Sequence, residues 1–311
     1  MTRRNGKTKQ LIDMASKADQ DNRSDRIKGS IYGFAIGDAM GAATEFMTRE
    51  SIEARYGRVT EIIGGGWLKL KPGEVTDDTQ MTFCIFDAMI DFVAAQEIYG
   101  KLNEDFNTSY MEPPSLMHCI KENFIEWKKG KPKDIGNLCL FGISMLEKGM
   151  APQYDPEALG NGSLMRALPF ALVGNEEMNV EQGLLTHNND TCTSEILRYH
   201  NVIQLLINGI LPSHINIGLQ TPSGHVTHTY ENARYWAFGP ETKCFRDAIE
   251  GAVNDGGDAD TIAAITGSMA GALYGYQNIP KEWIETLDDG VKKSLEEYAE
   301  FVICRELDDY L

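Results

Sequence analysis

A chain of 311 residues, 42% hydrophobic and 24% charged, carries enough apolar surface for a buried core and is long enough for one large domain or two ordinary ones. Its 46 acidic against 29 basic residues give a formal charge of −17, a field that repels nucleic acid and anionic membrane and gathers divalent cations. No run approaches the ~20 apolar residues of a membrane span, no secretory signal opens the chain and the six cysteines form no Cys-x-x-Cys pair, so a reduced, cytoplasmic protein without membrane or nucleic-acid partners is expected.

Residues 1–24 read as a polar N-terminal arm. From Arg26 helical periodicity takes over, with Ile27, Ile31, Phe34 and Ala35 at helical spacing. Gly29, Gly33, Gly37 and Gly41 stand four apart, hence on one face of that helix. Each costs about 1 kcal/mol relative to alanine, so four in register imply a partner helix whose backbone comes close. Asp38 and Glu45 are seven apart and share a face if the helix persists. Val59-Thr60-Glu61-Ile62-Ile63 is a candidate strand, ended at once by Gly64-Gly65-Gly66.

Pro72-Gly73 marks a turn, and the periodicity of Met81, Ile85, Ala88, Met89 and Phe92 begins just beyond it. Thr76, Asp77, Asp78 and Thr79 therefore fall at a helix N-terminus. One such residue suffices as an N-cap; two adjacent carboxylates between two hydroxyls exceed that need. Gly160-Asn161-Gly162-Ser163-Leu164-Met165-Arg166 offers backbone N–H groups and a guanidinium to an anion. Thr186-His187-Asn188-Asn189-Asp190 reads as a helix-to-helix turn, with His187 either satisfied there or facing a ligand. In the next helix Ile196, Tyr199, Ile203 and Leu206 enclose a structural His200, and His225 and His228 form a His-x-x-His pair lacking a third ligand.

Asn254-Asp255-Gly256-Gly257-Asp258-Ala259-Asp260-Thr261 repeats the earlier pattern, a glycine-led loop delivering carboxylates and a hydroxyl to a helix start. Gly267, Gly271 and Gly275 make a second seam, and 283–303 reads as one amphipathic surface helix. No linker divides the chain, so residues 25–311 are expected to form one α-helical domain. Two oxygen-rich loops facing each other would suit hard cations such as Mg²⁺, Mn²⁺ or Ca²⁺; no His/Cys set suits zinc.

The segments GSIYGFAIGDAMGAATEF, GGGWLKLKPGEVTDDTQMT, GNGSLMRALPFAL, THNNDTC and AVNDGGDADTIAAITGSMAGALYG, in this order, resemble the ADP-ribosylglycohydrolase family, which includes the dinitrogenase reductase-activating glycohydrolases. The resemblance implies an all-α, single compact orthogonal helical bundle holding two divalent cations, Mg²⁺ or Mn²⁺. Thr76, Asp77 and Asp78 match its first metal-ligand set. Asp258, Asp260 and Thr261 match the second, with Asp260 shared between the metals. Glu45 matches a glutamate tied to catalysis or gating and joins Asp77 and Asp78 as the catalytic candidates. Asn161, Gly162, Ser163 and Met165 match the wall of the ADP-ribose cleft, with His187 beside it. Where His225 stands many relatives carry an aromatic residue, which leaves Tyr235 as the substrate-stacking candidate. Asp255 receives no metal. The implied reaction is hydrolysis of the bond between the terminal ribose and a modified acceptor, either a protein, with the arginine N-linkage favoured, or a small molecule. The alternatives are a non-catalytic ADP-ribose- or metal-binding protein on the same scaffold and a hydrolase of a free ADP-ribose derivative.

Overall fold

The computed structural model describes residues 2–106, 112–212 and 218–304, with side chains described from residue 20 onward and not for 103–106. The order of elements is α1 (Thr2–Gly41), α2 (Arg49–Tyr56), α3 (Asp77–Phe106), α4 (Leu116–Lys129), α5 (Asn137–Leu146), α6 (Leu168–Val173), α7 (Glu176–Leu184), α8 (Asp190–Ile207), α9 (Val226–Phe238), α10 (Phe245–Asp255), α11 (Ala259–Tyr274), α12 (Lys281–Thr286) and α13 (Asp289–Cys304). Among the described residues there is no strand, only three isolated backbone bridges. No helix there is long and apolar enough to cross a membrane.

The expected glycine seam is the axis of the fold. α11 is buried at every position from Ala259 to Ala272, and α1 lies along it more extensively than any other pair of helices. A methyl placed on Gly29 would meet the Gly271 carbonyl at 2.3 Å, on Gly33 the Gly267 carbonyl at 2.2 Å, on Gly37 the Ala263 carbonyl at 2.0 Å and on Gly41 the Ala259 carbonyl at 2.4 Å. Rising numbers on one helix meet falling numbers on the other, so the pair is antiparallel and in register over four turns. Large side chains fill the space around it: Phe34, Phe86, Tyr199, Phe245 and Trp283 are all buried. His200 is buried on α8 against the Asn179 amide at 3.1 Å, a structural histidine as expected.

Three local expectations are corrected. Residues 59–63 form no strand; the backbone of Val59 pairs at 2.8 Å with both ends of the Asn254 amide, which takes the place of a neighbouring strand. Residues 283–303 are two helices, because the chain breaks at Leu287 and Asp288 so that the Asp288 N–H can bond the Gly73 carbonyl at 3.1 Å. The helix of Asp38 ends at Gly41, so Glu45 shares no helical face with it. Residues 2–24, read as an arm, are drawn into α1, and their side chains up to residue 19 lie outside the described set.

Candidate active site

Antiparallel packing puts the C-terminus of α1 beside the N-terminus of α11. A third helix end is brought in by Asp38, fully buried one turn before α1 stops. Its carboxylate accepts the Thr76 N–H at 3.1 Å and the Thr79 N–H at 3.1 Å, and the Thr79 hydroxyl as well. These are the free donors of the first turn of α3, so Asp38 caps α3 from another helix and anchors Thr76-Asp77-Asp78 at the end of the α1–α11 seam. The turn after α1 is stitched to the loop before α11: Phe46 N–H bonds the Gly257 carbonyl at 2.6 Å and Gly257 N–H the Met47 carbonyl at 2.8 Å. Gly256 makes that approach possible, with φ 78° and the Met47 carbonyl 2.2 Å from where a methyl would sit.

The result is a pool of buried carboxylates. Oxygens of Glu45, Asp258 and Asp260 lie within 4.8 Å of one another, an arrangement that could hold a metal ion. Asp78 sits between the two loops: Oδ2 accepts the Thr76 hydroxyl at 3.4 Å and the Thr261 hydroxyl at 3.3 Å, while Oδ1 is buried with no hydrogen-bond partner. Burial pushes Glu45 and Asp77 up to about 8. Burial and then the neighbouring carboxylates hold Asp78 and Asp260 well above the ordinary range. Withdrawing one uncompensated carboxylate from water costs several kcal/mol. A hard cation resolves both the repulsion and the orphaned Asp78 oxygen, and an all-oxygen donor set is what such a cation prefers. The residues fit a divalent metal.

The pool forms the floor of a cleft of about 400 Å³. Asn161, Gly162, Met165 and His187 line one wall. Asn161 has a second role there. Its amide donates to Asp258 and, at 2.9 Å, to the Thr229 hydroxyl, so it also orients a carboxylate of the floor. The His187 ring lies against Gly160 and Gly162, whose missing methyls would come within 3.2 and 3.0 Å of it. Burial, and then the charge of Arg166, drives His187 down to about 3, so it is a neutral imidazole. Arg166 does not reach the cleft. It is fully buried, bonding the carbonyls of Gly162 at 2.6 Å and Gln182 at 3.0 Å and the Thr186 hydroxyl at 2.7 Å. Its guanidinium is consumed in shaping the wall and is not available to an anion.

Among the other candidates, Ser163 is fully buried behind the wall, and Thr76 acts on Asp78 from beneath the floor. Tyr235 stands on α9 edge-on to Trp236, 5.1 Å between centroids, and is not among the residues lining the cleft. Several lining residues escaped the sequence reading, among them Trp67, Phe46 and Asp134. Trp67 donates its indole N–H to Glu45 Oε2 at 2.5 Å. Phe46 stands beside it, ring centroids 5.6 Å apart. Asp134 lies against Asp77 and raises it further, while the neighbouring Gly136 N–H reaches Asp77 at 3.4 Å. Phe46 and Trp67 lie inside segments that carry the family resemblance but were given no role there, and Asp134 lies outside them; all three come from irregular segments joining helices, where no periodicity marks a side chain.

Comparison with known proteins agrees with this construction. The sequence profile of the ADP-ribosylglycohydrolase family matches residues 19–221 and 211–309. The chain is 32% identical over 304 residues to the ADP-ribosyl-[dinitrogen reductase] glycohydrolase of Rhodospirillum rubrum, covering 90% of this chain and 96% of that one. It is 30% identical over 302 residues to an ADP-ribosylarginine hydrolase of Serratia proteamaculans, covering 85% and 75%. A solved structure described as an ADP-ribosylglycohydrolase-related protein complex shares the fold with a TM-score of 0.69 at 22% identity, over 91% of this chain and 99% of that chain. With matches that run nearly end to end and include both carboxylate loops, the chain belongs to the ADP-ribosylglycohydrolase family.

Proposed function

We propose that the protein hydrolyses the N-glycosidic bond joining ADP-ribose to an arginine side chain of an acceptor protein, using two divalent cations, Mg²⁺ or Mn²⁺. The observation that carries this reading is the convergence of three helix ends on one pool of buried carboxylates, with no lysine or arginine among the described residues lining the cleft above it. A leaving group that is itself cationic suits such a floor, and so does the positive charge that develops on the ribose in an oxocarbenium-like transition state. The names of the relatives point the same way.

Thr76, Asp77, Asp78, Asp258, Asp260 and Thr261 would hold the metals, with Asp260 shared and Glu45 alongside. When bound, the cations polarise ribose hydroxyls and make water a better nucleophile. The protein does the rest. Asn161 fixes Asp258, Asp38 fixes the α3 terminus, and Trp67 fixes Glu45 through its indole N–H. Asp77 or Asp78 accepts the proton of the attacking water, and Glu45 delivers one to the departing guanidine nitrogen. The Gly160–Gly162 backbone and neutral His187 form an uncharged wall for the nucleotide.

The test is incubation with arginine-, serine- and nucleic-acid-linked ADP-ribose, each with EDTA, Mg²⁺ or Mn²⁺. Release of ADP-ribose from the arginine linkage, dependent on the metal, is expected. Binding of ADP-ribose without turnover of any linkage would replace the enzyme by a binding protein, and full activity after exhaustive chelation would remove the metals from the mechanism.

A further inference from the structure

The cleft has an aromatic rim whose ring faces take no part in the hydrolysis described above. Phe46 is 68% exposed and Trp67 49% exposed, the two rings tilted at 43° to each other beside the carboxylate floor. Neither ring is placed by burial. Both are placed by backbone. Phe46 has φ 60°, a left-handed conformation that bulky residues rarely adopt, and it is held there by the bond of its N–H to Gly257. Trp67 follows Gly66, which has φ 64° and lies so close to the turn after α1 that a methyl would be 2.0 Å from the Ala42 carbonyl. Two unrelated loops each adopt a demanding geometry to present a large ring to solvent at one point. Core packing does not require this, and strained, exposed side chains of this kind cluster where a ligand is held.

We propose that Phe46 and Trp67 are the acceptor subsite, a clamp for the flat face of a guanidinium. This deepens the arginine reading and rests on it. A planar cation stacks on an indole or phenyl face while its N–H edge remains free for carboxylates. Both halves are present: the rings, and Glu45, which is tied to the Trp67 indole and lies at the edge of the carboxylate pool. The wall formed by Gly160–Gly162 and His187 is left for the nucleotide, so the two parts of the substrate would meet above the carboxylates. A specificity for guanidinium acceptors then resides in two exposed rings.

Phe46→Gly is the discriminating variant. Glycine accepts φ 60° without strain and little buried surface is lost, so the melting temperature should not fall. With Mg²⁺-loaded protein, calorimetry would measure binding of agmatine, a free guanidinium compound, and separately of ADP-ribose. Turnover of ADP-ribosyl-agmatine would be followed in parallel. Agmatine affinity should weaken on the order of tenfold, as expected for a lost cation–π partner, and KM should rise with little change in kcat, while ADP-ribose affinity is retained. Trp67→Phe should keep most of the agmatine affinity and Trp67→Ala should not. Unchanged agmatine affinity in both Phe46→Gly and Trp67→Ala overturns the clamp. So does a parallel loss of ADP-ribose affinity, which would assign the rings to the adenine. Wild-type protein that binds agmatine through these rings without cleaving the arginine linkage refutes the proposed function and leaves the clamp standing, so the two failures are told apart.

Discussion

Replacing Gly37 by alanine adds one methyl group in the middle of the α1–α11 seam. In an isolated helix the change is favourable by about 1 kcal/mol. Here the methyl would lie 2.0 Å from the Ala263 carbonyl oxygen and 2.4 Å from its carbon, about 1.4 Å short of ordinary contact at 3.4 Å. The obstacle is backbone, so no side chain can swing aside. The helices must separate, and they are in contact at three other glycines of α1 in the same register. Overpacking of a core costs about 1–3 kcal/mol, and a rigid obstacle argues for the upper end. After the gain in helix propensity a net loss of about 2 kcal/mol remains, equivalent to roughly 4 °C at this chain length. Gly100→Ala provides the matched control. That position lies on α3 with nothing within 4 Å of the added methyl, so only the propensity gain operates and the protein should melt slightly higher. The assay is a thermal melt of both variants beside wild type, followed by far-UV circular dichroism. Opposite signs are expected. A Gly37→Ala protein that melts at or above wild type would refute the close backbone contact and, with it, the account of how α1 and α11 are held at their shared end.

Three further outcomes follow from the site. Asp260→Asn should leave the helical signal intact and weaken Mg²⁺ or Mn²⁺ binding by at least about 10- to 100-fold, the loss typical when even a group that only orients a ligand is changed; a metal titration with wild-type affinity would remove Asp260 from the ligands. Asp255→Asn should lower the melting temperature by a few degrees, because this buried carboxylate accepts from Arg49 and, at 3.2 Å, from the Trp236 indole; Arg49 is 56% exposed, which limits the ion pair to about 1 kcal/mol, and an unaltered melt would return Asp255 to the role of bystander. In EDTA the protein should become more stable as pH falls from about 8 towards 6. Glu45 and Asp77 rise to about 8 on folding, so the folded state binds more protons than the unfolded one across that window; a flat melting curve in EDTA would show that the carboxylates are not mutually strained.

The legible part of this protein was the part carried by helices. Glycines at intervals of four within a helical apolar pattern mark one helix face, and the close approach they imply is what the backbone shows. The two carboxylate loops were legible because each ends in the onset of a periodic pattern, which places Asp78 and Asp260 at helix starts. What joins helices was not legible. Glu45 was given a helical neighbour in Asp38, yet Gly41 ends the helix and Glu45 arrives by a turn whose register is set by Gly257, more than two hundred residues away. Arg166 looked like an anion ligand because a guanidinium beside glycines usually faces out; the carbonyls that consume it come from α7 and from its own loop, a pairing that exists only after folding. Asp255, to which the sequence assigned no metal, bonds Arg49 and the Trp236 indole, partners equally invisible before folding.

These misreadings share a cause, and it bears on how the site is built. A sequence pattern reports which face of an element is buried, but not which element covers it. In this fold the covering elements are ends and loops. Asp38 bonds the α3 terminus, Asn161 bonds Asp258, Trp67 bonds Glu45, and Asp255 bonds Arg49 just after that turn. Asp258 and Glu45 are thus oriented by polar groups from other segments, and the α3 terminus that carries Asp77 and Asp78 is fixed by Asp38, so the floor cannot form until the helices are packed. The glycine seam supplies that packing without contributing an atom to the site. A pool of like charges that would repel in a looser chain is held together by a backbone seam whose last contact, Gly41 against Ala259 and Asp260, adjoins the floor itself.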